Sequence, residues 1–147
     1  TIVYDFTDGT TQRDEIEDPL PFDINAPVVE IEDCDFALWY REMGEKLDAY
    51  DGKTVKFRGM VAHNPKLKKN ELILGRKIMT CCADDITYSG LVADYEAASM
   101  FPNGAWLSVT AKISLKKHAL YENRGPVLKV LTAARTDPPD EEIATFY

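Results

Sequence analysis

Two adjacent cysteines, followed closely by two aspartates, are the residues of this sequence best suited to chemistry. Cys81 and Cys82 lie in the stretch RKIMTCCADD, and Asp84 and Asp85 follow within three residues. Thiolates bind soft metal ions, and a carboxylate can complete the coordination shell. The pattern therefore predicts a site for zinc or another soft metal at Cys81, Cys82 and Asp85, with Asp84 as a further candidate ligand. Structural zinc sites usually space their cysteines two to four residues apart, so adjacent cysteines are a weaker signal.

The same pair allows two other interpretations. Cys81 and Cys82 could form a vicinal disulfide, which would be strained and redox-labile. They could also be small buried apolar residues, the commonest fate of a free cysteine. Neighbours on a strand point to opposite faces, so both reach the core only if the strand ends or bulges there. With Cys34 the chain has three cysteines, so at least one lacks a partner within the chain.

Three further side chains could contribute to such a site. Arg76 precedes the cysteines on the same predicted strand, where we expect it to bind ligand or balance charge. His63 and His118 are the only histidines and are additional candidate metal ligands. The sequence contains no serine-hydrolase, zinc-protease, P-loop or dinucleotide-binding motif, so we expect a non-enzymatic binding role.

Basic residues concentrate in two segments that we predict to be loops. The first is HNPKLKKN, with Lys66, Lys68 and Lys69, and the second is KKHALYENRG, with Lys116 and Lys117. If the loops meet, these lysines could bind an anionic ligand or an acidic partner. Single-stranded nucleic acid is bound by basic grooves that also offer aromatic stacking platforms, and the loops contain few aromatic residues. We therefore do not expect a nucleic-acid partner.

The elements that position these residues predict an OB-fold-like barrel. Apolar residues at helical spacing indicate an N-terminal α-helix at about residues 35–50. Alternation of apolar and polar residues then predicts three strands, a short helix at DYEAASMF and two more strands. This is the element order of the five-stranded Greek-key OB barrel, which has a short helix between strands 3 and 4. The competing fold is a small β-sandwich.

Charge and composition divide the chain into three parts. Residues 1–50 contain 14 acidic and 3 basic residues, whereas residues 53–135 contain 6 acidic and 14 basic ones. We interpret residues 1–24 as an acidic linker or arm with a short strand at TIVYDF. Residues 25–139 form the OB-like domain, with its barrel at about 53–135, and residues 140–147 form a C-terminal tail.

The chain has no run of about 18 apolar residues that could span a membrane. It also has no recognisable signal peptide, so we expect any targeting segment to lie outside it.

Four stretches of the sequence resemble the C-terminal domain of the YcgQ-like permease-associated family of bacterial proteins. They are YDGKTVKFRGMV, RKIMTCCADDITYSGL, AWLSVTAKI and PVLKVLTAARTDPP, within residues 27–139. The most specific shared positions are Arg76, Cys81, Cys82, Ala83, Asp85, Gly90 and Leu91. The chain departs from the family at Asp84, where Ala is usual, and at Tyr88, where Pro is usual.

The resemblance implies a function without an established activity. It implies an accessory domain that works beside a multi-spanning permease and is attached to the membrane, on its extracytoplasmic side, by a segment absent from this chain. Together with the residues above, it predicts a binding domain that holds a soft metal or a small ligand. The alternatives are a thiol redox protein that uses the cysteine pair and an interaction module that docks an anionic partner through its basic loops.

Overall fold

The computed structural model of the protein describes residues 20–146; the predicted strand at 1–6 lies outside this range. The helices are α1, Phe36–Glu45, and α2, Leu47–Tyr50. The strands are β1, Val29–Glu30; β2, Thr54–Ala62; β3, Glu71–Met79; β4, Thr87–Asp94; β5, Trp106–Lys117; β6, Arg124–Arg135; and β7, Ile143–Thr145. Short 3₁₀ turns span Asp33–Asp35, Ala83–Asp85 and Ala98–Met100.

Five of these strands close into the predicted OB-type barrel. β2 pairs antiparallel with both β3 and β5, β5 pairs antiparallel with β6, and β3 pairs antiparallel with β4. The ring is completed by β4 and β6, which run parallel to each other. The circuit β2–β3–β4–β6–β5 is the strand order of a Greek-key OB barrel, so the predicted fold is confirmed.

The barrel has a seam between β2 and β3, where these two strands pair over only part of their length. Met60–Ala62 pair with Ile73–Gly75, and beyond this region each strand has a different neighbour. β1 runs parallel to the first half of β2, at Val55 and Lys56, and β7 runs parallel to the end of β3. Two short strands from opposite ends of the domain therefore cover the seam.

The helical segment contributes the core that its sequence pattern predicts. Phe36, Trp39, Met43, Leu47 and Tyr50 are all buried. The rings of Phe36 and Trp39 contact Phe57 of β2, with centroids 5.8 and 5.1 Å apart. This apolar face anchors the segment that follows β1 against the barrel, and so fixes one side of the seam.

Three elements differ in detail from the sequence predictions. The helix is interrupted at Lys46, whose φ of −132° and ψ of 53° are not helical, and so forms two pieces. The helix between the third and fourth barrel strands is only the 3₁₀ turn at Ala98–Met100. The predicted tail at 140–147 contains β7, whose three residues are too few to show an alternating pattern.

Candidate metal site

The cysteine pair lies just beyond the end of a barrel strand. β3 ends at Met79, the chain bends through Thr80 to Cys82, and the 3₁₀ turn Ala83–Asp85 leads into β4. Both thiols are free and both residues are exposed. The interpretation of the cysteines as buried core residues is therefore wrong. They follow the strand instead of belonging to it, so the pleat does not direct either one into the barrel.

Asp85 organises the turn that presents the thiols. Its Oδ1 accepts a hydrogen bond from the backbone N–H of Thr80, at 3.0 Å, and its Oδ2 accepts one from that of Cys81, also at 3.0 Å. The same Oδ2 accepts a hydrogen bond from the Cys81 thiol at 2.8 Å. One carboxylate thus closes the turn and fixes the direction of the Cys81 side chain.

The electrostatics of this group keep the Cys81 thiol protonated. Its hydrogen bond to Asp85, the contact with Cys82 and the charge of Asp85 together raise the pKa of Cys81 to about 11. The same hydrogen bond, with those from Thr80 and Cys81, holds the pKa of Asp85 well below its usual range. Asp85 is therefore ionised near neutral pH, and a proton lies between it and Cys81.

The three side chains lie close enough together to bind one ion. The ligand atoms of Cys81, Cys82 and Asp85 are all within 4.8 Å of one another, and the two sulfurs are 3.7 Å apart. Two thiolates on a tetrahedral zinc, at Zn–S distances near 2.3 Å, would be separated by about 3.8 Å. The observed separation of the two sulfurs therefore suits a shared zinc ion.

Arg76 lies in a different place from the one that sequence proximity suggests. It is buried on β3, and its Nη atoms donate to the backbone carbonyls of Asp33 and Glu141, at 2.5 and 2.6 Å. Its surroundings are the seam of the barrel and Cys34, not the turn that carries Cys81. Burial is the main cause that lowers the pKa of Arg76, and the nearby Arg58 lowers it further, whereas Asp33 opposes both.

The other candidate ligands, His63, His118 and Asp84, do not belong to this cluster. His63 Nε2 is 2.6 Å from the carbonyl oxygen of Phe101, and His118 Nε2 is 3.0 Å from Glu71 Oε1. Asp84 is exposed on the 3₁₀ turn. Among residues 20–146, the structure gathers only Cys81, Cys82 and Asp85 into a cluster of potential metal ligands.

The two basic segments meet at one end of the barrel, but the second is only partly a loop: Lys116 and Lys117 are the last two residues of β5. Lys68, Lys116, Lys117 and His118 line a common cavity of about 180 Å³, together with Glu71 and Asp94. Lys66 and Lys69 are exposed on the first of these segments. The acidic residues offset part of the positive charge, so this end of the barrel is a mixed polar surface. Binding of an anionic partner here stays a prediction.

The fold and the cysteine group define a class of protein: an OB-type barrel domain with an exposed dithiol–carboxylate group after its second strand. Within that class, the chain belongs to the family of the DUF1980 C-terminal domain, a domain of unknown function, whose sequence profile matches residues 6–144. The resemblance described from the sequence is thereby confirmed, and the match extends beyond residues 27–139 at both ends. No curated protein shows significant similarity to the chain.

Three solved structures show a weak similarity to the chain at low sequence identity. Yeast RPA bound to ssDNA is 9% identical, with 77% of this chain and 78% of that chain covered and a TM-score of 0.39. Entamoeba histolytica asparaginyl-tRNA synthetase is 16% identical, with coverage of 61% and 22% and a TM-score of 0.35. The mitochondrial single-stranded DNA-binding protein Rim1 of S. cerevisiae is 12% identical, with coverage of 58% and 96% and a TM-score of 0.33.

Within residues 20–146, no helix has the length and apolar character needed to cross a membrane.

Proposed function

We propose that this domain is a non-enzymatic accessory domain of a membrane transport system and that it binds a soft metal ion through Cys81, Cys82 and Asp85. The observation that carries the metal site is the convergence of two thiols and a carboxylate within 4.8 Å on an exposed turn. Two sulfurs and one oxygen suit zinc or another thiophilic ion. Because the cluster offers three protein ligands, a fourth position stays open to water or to a group from a partner.

Metal binding at this turn is coupled to loss of the proton from Cys81. The pKa of that thiol is about 11 because its hydrogen bonds to Asp85 and Cys82 favour the protonated form. A metal ion replaces the proton between the Cys81 sulfur and the Asp85 oxygen, so binding releases protons and tightens as the pH rises. The backbone hydrogen bonds to Asp85 hold the carboxylate in place during this exchange.

The test is elemental analysis and zinc titration of protein purified without chelator and without oxygen. We expect about one equivalent of zinc or of another soft metal per chain, consistent with the one cluster of ligands found among residues 20–146. Cys81→Ser and Cys82→Ser should abolish binding, and Asp85→Asn should weaken it. Cys34→Ser and Asp84→Asn are the matched controls and should bind as the wild type does, because neither residue belongs to the cluster.

A different result would replace the metal proposal. Protein that contains no metal and takes up none when zinc or copper(I) is supplied would overturn it. If Cys81 and Cys82 then cycle reversibly between dithiol and disulfide, with two electrons per chain, the redox interpretation applies. Loss of metal binding in Cys34→Ser would show that the metal binds at the seam of the barrel, where Cys34 lies.

The membrane setting is supported by the family resemblance and has its own test. The exposed thiols of Cys34 and Cys82 are natural labelling sites. In cells that express the full-length protein, a membrane-impermeant maleimide should label them before lysis if the domain faces outward. Labelling that appears only after lysis would place the domain on the cytoplasmic side, and cross-linking to a multi-spanning permease would test the partner.

A further inference from the structure

A second cavity, of about 470 Å³, lies at the seam of the barrel, away from the cysteine pair. Asp33 and Cys34 line it after β1, Arg58 and Arg76 line it from β2 and β3, and the chain that leads into β7 closes it. This volume is within the usual range for small-molecule sites. Pro138, Pro139, Ile143 and Ala144 supply apolar wall, and Thr145 supplies a hydroxyl group.

The two cations that line this cavity, Arg58 and Arg76, have different partners. Arg58 is paired with Asp33 through two guanidinium–carboxylate contacts, one of them 3.1 Å long, and also donates to the carbonyl of Asp137. Arg76 is 1% exposed and has no ion-pair partner among residues 20–146. Its Nη atoms reach only backbone carbonyls, and its Nε is buried without any hydrogen-bond partner.

Such an arrangement is unfavourable for a buried guanidinium. Removing a guanidinium from water costs free energy that neutral carbonyl acceptors recover only in part. Arg76 does tie together the two segments that cover the seam, because it binds Asp33 and Glu141 at once. That structural role still leaves its Nε without a hydrogen-bond partner. The nearby Asp33 and Glu141, and the ring of Phe36 at 5.7 Å from the guanidinium carbon, offset only part of its charge.

We propose that the seam cavity binds a small organic anion, with its acidic group against Arg76 and Arg58 and its apolar part against Pro138, Pro139 and Ile143. Carboxylates and phosphates are the groups that a guanidinium binds through paired hydrogen bonds. Asp140 and Glu141 also line the cavity and are exposed. Their negative charge favours a ligand with a single acidic group over a polyanion. This proposal is independent of the metal site.

Cys34 provides a built-in probe of this cavity. It is a free, exposed thiol that lines the same space as Arg76. Iodoacetate and iodoacetamide alkylate the same thiolate with loss of iodide and differ mainly in charge. The rate with iodoacetate divided by the rate with iodoacetamide is therefore independent of the thiol pKa. We expect the ratio at Cys34 to be about fivefold higher in the folded protein than in the urea-unfolded chain, as one nearby charge in water would produce.

Substitution of the arginine completes the test. Arg76→Gln should reduce the ratio at Cys34 to that of the unfolded chain, whereas Arg135→Gln, which changes an exposed arginine on β6, should leave it unchanged. A folded Arg76→Gln protein that keeps the wild-type ratio would overturn the proposal. So would a wild-type ratio equal to that of the unfolded chain.

A measurement on the wild type covers the case in which Arg76→Gln fails to fold. Millimolar benzoate should slow the reaction of Cys34 with iodoacetamide, because its carboxylate and ring fit the two parts of the cavity. Benzyl alcohol, which has the ring without the charge, should not slow it, and the reaction of Cys82 should be unaffected by either. Equal effects of benzoate and benzyl alcohol on Cys34 would show that charge is not recognised and would refute the anion site.

Discussion

At the scale of single residues, Asp85 combines two roles that are usually separate. Its oxygens accept two backbone hydrogen bonds that shape the turn after β3, and one of them also accepts the Cys81 S–H. The carboxylate therefore stabilises the thiol form of Cys81, although it lies where it could share a metal ion with the thiolate. In the metal-free protein Cys81 should accordingly be a poor nucleophile, despite its exposure.

Asp85→Asn should make Cys81 more reactive in the metal-free protein. Removal of the carboxylate takes away the largest cause of the raised pKa, the hydrogen bond to Asp85, together with its charge, so the pKa should fall from about 11 towards 9.0. At pH 8 the thiolate fraction, and with it the alkylation rate, should rise at least about tenfold. The measurement is the pH dependence of iodoacetamide labelling at Cys81, followed by peptide mass spectrometry. Asp84→Asn is the control, and an equal increase in that variant would show that the hydrogen bond is not responsible.

At the scale of elements, β3 carries both proposed sites. Arg76 points into the seam from the strand, and the cysteine turn begins directly after Met79. The strand is held in place by an unusually close approach to β4, where Gly75 lies opposite Gly90. A Cβ atom at Gly75 would be 2.0 Å from the carbonyl oxygen of Ser89, much closer than any contact that side chains make.

Gly75→Ala should therefore destabilise the barrel strongly. The obstacle is backbone, which cannot move aside without breaking the pairing of β3 with β4, so we expect a loss of about 3 kcal/mol or more. Gly52→Ala is the control: nothing lies within 4 Å of its added Cβ, and only the φ of 85° is strained. It should cost about 1 kcal/mol. Urea unfolding measures both, and similar midpoints for the two variants would contradict the close approach of the strands.

At the scale of the whole molecule, the first basic loop and the loop after β5 are joined by a hydrogen-bonded contact that makes stability depend on pH. Glu71 at the start of β3 contacts His118 in the other loop, and both side chains are about nine-tenths buried. Burial would raise the pKa of Glu71, but hydrogen bonds from His118 and from the backbone N–H of Lys68 outweigh it and lower the pKa. A carboxylate with a lowered pKa stabilises the folded state above its unfolded pKa, and this stabilisation is lost as the pH falls.

Glu71→Gln should remove this part of the pH dependence. Relative to the wild type, the variant should lose about 1 kcal/mol of stability near neutral pH. The difference should shrink as the pH falls below about 4.5, because the wild-type carboxylate is then being protonated as well. Thermal unfolding between about pH 3 and pH 7 measures the effect. The control is Glu122→Gln, which removes the charge of an exposed glutamate. A constant difference across this range would contradict the assignment to the carboxylate.

Much of the barrel could be predicted from the sequence because its strands alternate cleanly. Val55, Phe57 and Val61 of β2 are buried as their spacing indicates, and the order of elements identified the OB topology. The cysteine–aspartate group could also be predicted, since its members are separated by at most four residues. Local patterns determine such features, and no long-range information is needed.

The seam cavity could not be predicted, because its residues come together only through long-range packing. Arg58 alternates with apolar residues on β2 and has the pattern of an ordinary solvent-facing side chain. Its partner Asp33 lies 25 residues away, and Arg76 binds the backbone of Glu141, 65 residues away. The pairing of the three-residue β7 with β3 also depends on barrel closure. For this reason sequence proximity placed Arg76 with the cysteines.

The way the seam is covered gives the molecule two levels of local stability. Each of the five barrel strands has hydrogen-bonded neighbours on both sides, so its amide protons should exchange with solvent chiefly through global unfolding. β1 and β7 have two and three residues and pair with one described strand each, so they can detach at a much smaller free energy. Their detachment would open the seam cavity while the barrel stays intact. Exchange of a bound molecule could then proceed at the rate of strand fraying, independently of the rate at which the domain unfolds.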